Sequence, residues 1–311
     1  MDNKTDYHQQ NPTPGNSPGV QYSSAFSETL SAFLDSLNGK NRSPATVLAY
    51  KTDLLQFFRF LRESNFTIER PADVSRADIT DFLSHLAQRK LSGVSRARKL
   101  AAVREYFRFL EAEGKIDRSP TQGVEGPKKE KNIRTFLIPE EFTRMLSLAG
   151  ANPRDYAILQ VFLQTGVRVS ELCALLLSDV ELDGQVLHIG AGKGMSARDI
   201  PLEKKAIQAI KNWLAIRPPD SDDHLFLNHD GQRLGERGVR KLVAKYRVLA
   251  GITRKASCHS LRHTFATYKA EKGVSPFQLQ QWLGHANLNT TQIYVHMGRQ
   301  NAKKAMEATS L

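Results

Sequence analysis

Val186-Leu187-His188-Ile189 runs into Gly190-Ala191-Gly192-Lys193-Gly194, and Ile200 and Leu202 follow shortly after. This stretch decides the fold because the hydrophobic period changes here. Apolar residues alternate within it, whereas on both sides they recur at helical spacing. Two short alternating runs around a glycine-rich turn read as a hairpin, with Lys193 in its loop. The flanking text reads as helices around 139–149, 153–165 and 169–178 before the hairpin, and 203–216, 235–250, 260–272, 276–283 and 289–296 after it. Ile138-Pro139-Glu140-Glu141-Phe142 makes a helix start, with proline in the first turn and acids beside the positive end of the helix. This half of the chain is therefore mainly helical with one small antiparallel sheet.

Upstream, residues 114–134 carry Ser-Pro, Gly126-Pro127 and the charged run Lys128-Lys129-Glu130-Lys131, a composition that breaks helices and favours water. They read as an interdomain linker. Residues 25–113 read as a bundle of four helices. Ser43-Pro44 supplies an N-cap followed by proline, and Ser75 with Asp78 makes a capping box. Leu48, Leu55 and Phe58, then Leu100, Val103, Phe107 and Leu110, form the expected buried stripes. Arg89, Lys90, Arg96, Arg98 and Lys99 make one end of the bundle basic, which also fits an ordinary solvated face. Residues 1–24, rich in Asn, Gln, Pro, Gly and Ser, read as a disordered tail with no signal-peptide pattern. Residues 135–311 form the second domain.

The chain's 311 residues suffice for two domains with separate cores. Lysine and arginine number 44 against 32 acidic residues, a formal net charge of +12, which points to a polyanionic partner and first to nucleic acid. Apolar runs such as Leu172 to Leu177 are too short to span a bilayer, so no membrane role is expected. Cys173 and Cys258 make no metal-spaced pair and fit free structural thiols in a reducing cytoplasm.

Four separated stretches carry the chemistry: Thr165-Gly166-Val167-Arg168-Val169-Ser170-Glu171-Leu172, Gly192-Lys193-Gly194, His259-Ser260-Leu261-Arg262-His263, and Leu283-Gly284-His285 followed by Thr290-Thr291-Gln292-Ile293-Tyr294-Val295-His296. Taken singly, each residue has an ordinary reading: a surface arginine, a core histidine, a packed tyrosine, a turn. In order and spacing, however, they resemble the catalytic domain of the tyrosine recombinases, in particular the Xer-like and phage integrase branch. The resemblance extends over the N-terminal helices and covers the chain from about residue 25 to its end.

That resemblance implies an N-terminal four-helix core-binding (SAM-like) domain ahead of a mostly helical catalytic domain with a C-terminal exchange helix. It implies a site-specific recombinase that integrates, excises or resolves DNA through a 3′-phosphotyrosyl intermediate, without ATP or metal. The catalytic set would be Arg168, Lys193, His259, Arg262, His285 and Tyr294, with no cofactor. The partner would be double-stranded DNA with inverted-repeat half-sites. Four copies, or a mixed tetramer with a related recombinase, would form the synapse.

The residue types suit that chemistry. Phosphoryl transfer spreads negative charge over the phosphate oxygens and depends on positioning. Arg168 and Arg262 offer planar forks that stay charged at any working pH. His259 and His285 can bind the same phosphate, and His259 can also move a proton. Tyr294, with an ordinary pKa near 10, needs cationic neighbours to act as a nucleophile. Lys193 resembles the family's general acid. The usual second basic residue of this hairpin is absent; Ser196 stands there, with Arg198 after it. Glu171 fits either an orienting partner for Arg168 or a structural salt bridge.

Three rival readings need answering. A metal-dependent hydrolase could draw on His259 and His263 with Cys258 and His285, but the segment lacks a glutamate base and places Arg262 inside the cation site. A non-catalytic DNA-binding regulator fits the charge but has no need of Tyr294 in this pattern. A type IB topoisomerase shares the chemistry, yet the compact N-terminal bundle favours a recombinase.

Overall fold

The computed structural model describes residues 23–65, 67–128, 136–192, 196–219 and 222–284. The chain divides into two compact units, Met1–Asn132 and Ile133–Leu311.

Among the described residues the elements of the first unit are helices: α1 (Ser24–Gly39), α2 (Pro44–Ser64), α3 (Arg76–Gln88) and α4 (Gly93–Ala112). The helix starts follow their cap chemistry. Ser43 Oγ accepts from the Thr46 amide at 3.2 Å, with Pro44 in the first turn of α2. At α3, Ser75 Oγ accepts from the Asp78 amide while Asp78 Oδ2 accepts from the Ser75 amide at 2.8 Å, two otherwise unsatisfied donors paired reciprocally.

Phe57, Phe58, Phe82, Tyr106 and Phe107 meet in the core as an aromatic cluster, with Leu100, Val103 and Leu110 buried beside them. Two members of the expected stripes depart from them: Leu48 is 63% exposed and Leu55 only partly buried. The face of α2 that meets the core is instead Leu54, Phe57, Phe58 and Leu61, rotated away from the Leu48–Leu55 line. The basic cluster is partly internal as well. Asp53, almost fully buried on α2, accepts from Lys99 Nζ at 2.8 Å and from both terminal nitrogens of Arg98, tying α2 to α4.

Ile116 and Val124, within the stretch read as linker, are buried in this core, and Arg76 Nη2 donates to the Gly123 carbonyl at 2.7 Å. The segment up to Val124 is thus packed structure. Residues 129–135 lie outside the described residues.

The second unit contains α5 (Pro139–Ala149), α6 (Pro153–Thr165), α7 (Val169–Ala174), β1 (Val180–Glu181), β2 (Val186–Ile189), β3 (Arg198–Pro201), α8 (Lys204–Leu214), α9 (Glu236–Leu249), α10 (Cys258–Glu271) and α11 (Pro276–Leu283). The sheet is antiparallel in the order β1-β2-β3, with Leu187 opposite Ile200 and Ile189 opposite Arg198. The hairpin is present, and β1 adds a third strand that two-residue length hid from the sequence pattern. Helix α6 is the central element: Ala157, Ile158, Leu159, Val161 and Phe162 are all fully buried, against α5, α8 and α10. A helix apolar on nearly every side has to lie inside.

The helix expected over 169–178 is shorter. After Ala174 the chain bonds sideways: the Leu175 carbonyl accepts from the Leu225 amide at 2.7 Å and the Leu177 amide donates to the Asp223 carbonyl at 2.9 Å, and these long-range bonds replace helical ones. Helix α10 starts two residues earlier than expected, which brings Cys258 and His259 into its first turn. The helix expected at 289–296 lies outside the described residues. Cys173 and Cys258 are buried free thiols, each pushed up to about 11 by burial.

Candidate active site

Gly166 is where the site begins. It ends α6 in the left-handed conformation, φ 63°, and its amide donates to the Phe162 carbonyl. A Cβ at this position would stand 2.4 Å from Phe265 Cδ1 and 3.0 Å from Leu283 Cδ2. Conformation and crowding therefore both demand glycine. The turn places Arg168 at the N-cap of α7, where Glu171, one helical turn on, accepts from the Arg168 amide at 2.7 Å and from its Nη1 at 2.9 Å.

Arg262 comes from α10, three residues after His259 and so on the same face of the helix. It is only 3% exposed. Its Nη1 donates to the Gly166 carbonyl at 2.6 Å and its Nη2 to the Leu283 carbonyl at 2.5 Å. His259 is exposed, with its ring edge-on to that of His263 at 4.9 Å between centroids.

The third contributor is the end of α11. Gly284, again left-handed at φ 61°, closes the helix and exposes its last carbonyls. Those oxygens carry the negative end of the helix dipole and need donors. Arginines supply them. Arg168 reaches the Leu283 carbonyl at 3.4 Å and the Gly284 carbonyl at 3.2 Å. Arg262 shares the Leu283 oxygen, and Arg198 Nε donates to the Trp282 carbonyl at 2.7 Å. Arg198 also grips Glu171 with both terminal nitrogens, at 3.0 and 2.8 Å.

Three guanidinium groups thus converge on one helix end, and two of them, Arg168 and Arg198, also hold one carboxylate, leaving an excess of positive charge. Burial pushes the Glu171 carboxyl up, but the hydrogen bonds and charges of Arg198 and Arg168 outweigh it and hold the group below its ordinary range. Glu171 is therefore an anion at neutral pH.

Of the six residues the motifs single out, Arg168 and Arg262 meet at the Leu283 oxygen, and His259 lies one turn before Arg262. Lys193, His285 and Tyr294 lie outside the described residues; the described chain stops at Gly284, one residue short of His285. Among the described residues, no group of three or more His, Cys, Asp or Glu side chains gathers as a metal site.

Arg198, which none of the motifs singles out, is a full partner in this network. A signal for it was available. Arg198 and the buried Ile200 share one face of β3, and an arginine on the inward face of a strand must have partners there.

The phage integrase family model matches residues 135–301, and the model of the phage integrase N-terminal SAM-like domain matches residues 30–114. A tyrosine recombinase of Pseudothermotoga lettingae is 35% identical over 257 residues, covering 82% of this chain and 88% of the relative. Tyrosine recombinase XerC of Thermodesulfovibrio yellowstonii is 36% identical over 270 residues, 83% of this chain and 87% of the relative. Among solved structures, a lambda integrase dimer bound to a COC′ core site aligns with a TM-score of 0.72 at 20% identity, covering 85% of this chain and 96% of that one. XerH site-specific recombinase bound to a palindromic difH substrate, in a post-cleavage complex, aligns with a TM-score of 0.70 at 23% identity, covering 90% and 83%.

Proposed function

Because this chain belongs to the phage integrase family and is a site-specific tyrosine recombinase, we propose that it cuts and rejoins DNA through a covalent bond between Tyr294 and a 3′ phosphate. The observation that carries this reading is the pair Arg168 and Arg262, close enough to share one oxygen acceptor. Two planar donors at that spacing suit the non-bridging oxygens of a single phosphodiester.

In the proposed step the Tyr294 oxygen attacks phosphorus as its proton passes to His259 or solvent. The bond to the 5′ oxygen breaks, and that oxygen leaves as a hydroxyl with a proton from Lys193. His285 joins the arginines on the phosphate oxygens. One phosphodiester is exchanged for another, so the energy needed for religation is retained and no ATP is required. The permanent charge of the arginines performs the electrostatic stabilisation that a metal ion gives other nucleases.

We take residues 25–113, with the segment up to Val124 packed on them, as the core DNA-binding domain, the rest of 114–134 as the connection and 135–311 as the catalytic domain with its exchange helix. The net charge of +12 supports duplex DNA as partner. The rest of the proposal is inverted-repeat half-sites, a homo-tetramer or a tetramer mixed with a related recombinase, and action in the cytoplasm. Among the described residues no helix is long and apolar enough to cross a membrane.

The test uses the duplex that the full-length chain enriches from a random-sequence library, nicked in its spacer and incubated in EDTA. On a denaturing gel the wild-type chain should form a covalent adduct. Tyr294→Phe, which removes one oxygen and no charge, should form none while binding the duplex normally. An adduct from the phenylalanine variant would overturn the assignment, and an adduct that requires added magnesium or zinc would overturn the metal-free reading.

A further inference from the structure

Arg168 lies between two demands. Its guanidinium has to face a phosphate, yet it sits beside Glu171, a buried carboxylate that would bind it bidentately if it were the sole cation in reach. What prevents this is visible in the geometry. Arg198, whose side chain is 8% exposed, occupies both oxygens of Glu171, with Nη1 on Oε1 at 3.0 Å and Nη2 on Oε2 at 2.8 Å. The Arg168 guanidinium is left with a single Nη1 contact to Oε1 at 2.9 Å, while the Arg168 backbone amide holds Oε2 at 2.7 Å, and the guanidinium's other bonds are longer, 3.2 and 3.4 Å, to carbonyl oxygens at the end of α11.

Arg198 is itself fully committed. Its third nitrogen, Nε, holds the Trp282 carbonyl at 2.7 Å, and a Cβ on Gly284 would stand 3.0 Å from its Nη1. Each of its three nitrogens has a partner inside the protein, and both terminal ones face Glu171, so its fork serves that carboxylate. It also stands on β3, directly after the hairpin loop that carries Lys193, and joins that strand to the start of α7 and the end of α11.

We propose that Arg198 is a positioning residue for strand cleavage: by saturating Glu171 it frees the Arg168 guanidinium for the scissile phosphate, and it fixes the root of the Lys193 hairpin against the end of α11. This rests on the reading of Arg168 as a phosphate ligand. Without Arg198, Glu171 would draw Arg168 into a bidentate pair and turn it away from the phosphate. Misplacing a catalytic group by about 1 Å costs roughly a hundredfold in rate.

The test measures single-turnover adduct formation on the nicked duplex, duplex affinity and melting temperature for the full chain and for Arg168→Ala, Arg198→Gln, Arg198→Lys, Glu171→Gln and the double variant E171Q/R198Q. Arg198→Gln should bind DNA within about twofold of wild type and cleave about a hundredfold more slowly. Arg198→Lys keeps the charge but not the fork, and should show a loss of the same kind; it decides the matter if the glutamine variant does not fold.

The distinguishing result is the double variant. With the carboxylate neutralised nothing competes for Arg168, so E171Q/R198Q should cleave about tenfold faster than R198Q alone. A structural role would give no such recovery. Wild-type cleavage by both Arg198 variants while Arg168→Ala is inactive would overturn the proposal. So would a loss in R198Q that the second substitution fails to relieve. Wild-type cleavage by Arg168→Ala would instead overturn the phosphate-ligand reading on which it stands.

Discussion

Gly166 governs the direction in which Arg168 leaves α6, and it does so by lacking a side chain. At φ 63° an L-residue pays roughly 1–2 kcal/mol in backbone strain, and a Cβ 2.4 Å from Phe265 forces the α6–α10 contact apart. Its carbonyl also receives Arg262 Nη1. Gly166→Ala should therefore destabilise the second unit by roughly 2–4 kcal/mol, strain and overpacking together. Urea denaturation followed by circular dichroism should show the midpoint falling with an unchanged slope. An alanine variant as stable as wild type would mean that Phe265 yields without cost.

The elements of the first unit are joined by a charge cluster as well as by aromatic packing. Asp53 is 1% exposed and Lys99 7% exposed, each on a different helix, so removing one partner strands the other in the core. Asp53→Ala should cost about 3 kcal/mol, whereas the paired change D53L/K99L, which removes both charges, should restore most of that loss. Thermal melts of the three proteins measure it. If the double variant is no better than the single, Arg98 and not Lys99 is the partner that matters.

At the scale of the whole molecule, charge and termini set behaviour. Residues 299–311 lie outside the described residues; in sequence, Ala302, Ala305 and Met306 recur at helical spacing and on a helix would make a small apolar stripe. In the tetramer proposed above, such a stripe would dock on a neighbouring copy. Deleting 299–311 should leave binding to a single half-site unchanged but abolish cooperative filling of paired half-sites and recombination. Gel-shift titrations on half and full sites check this, and cooperativity that survives the deletion would refute the exchange role.

Periodicity and local caps were enough to read most of the described helices, the β2–β3 pair, and a helical bundle followed by a mainly helical unit with one small sheet. Those features depend on neighbours within a few residues, which the sequence presents directly. Where that reading failed, a distant segment had intervened. Leu48 faces out because the orientation of α2 is chosen by the aromatic core, and α7 stops at Ala174 because Leu225 takes the Leu175 carbonyl and Asp223 the Leu177 amide. The site divides in the same way. The motifs name Arg168, Arg262 and His259, since their spacing survives in one dimension. Only the tertiary structure set Arg198 on Glu171, 27 positions away, and brought three arginines to the end of α11. A buried charge takes whatever partner the fold delivers, and sequence separation says nothing about which one that is.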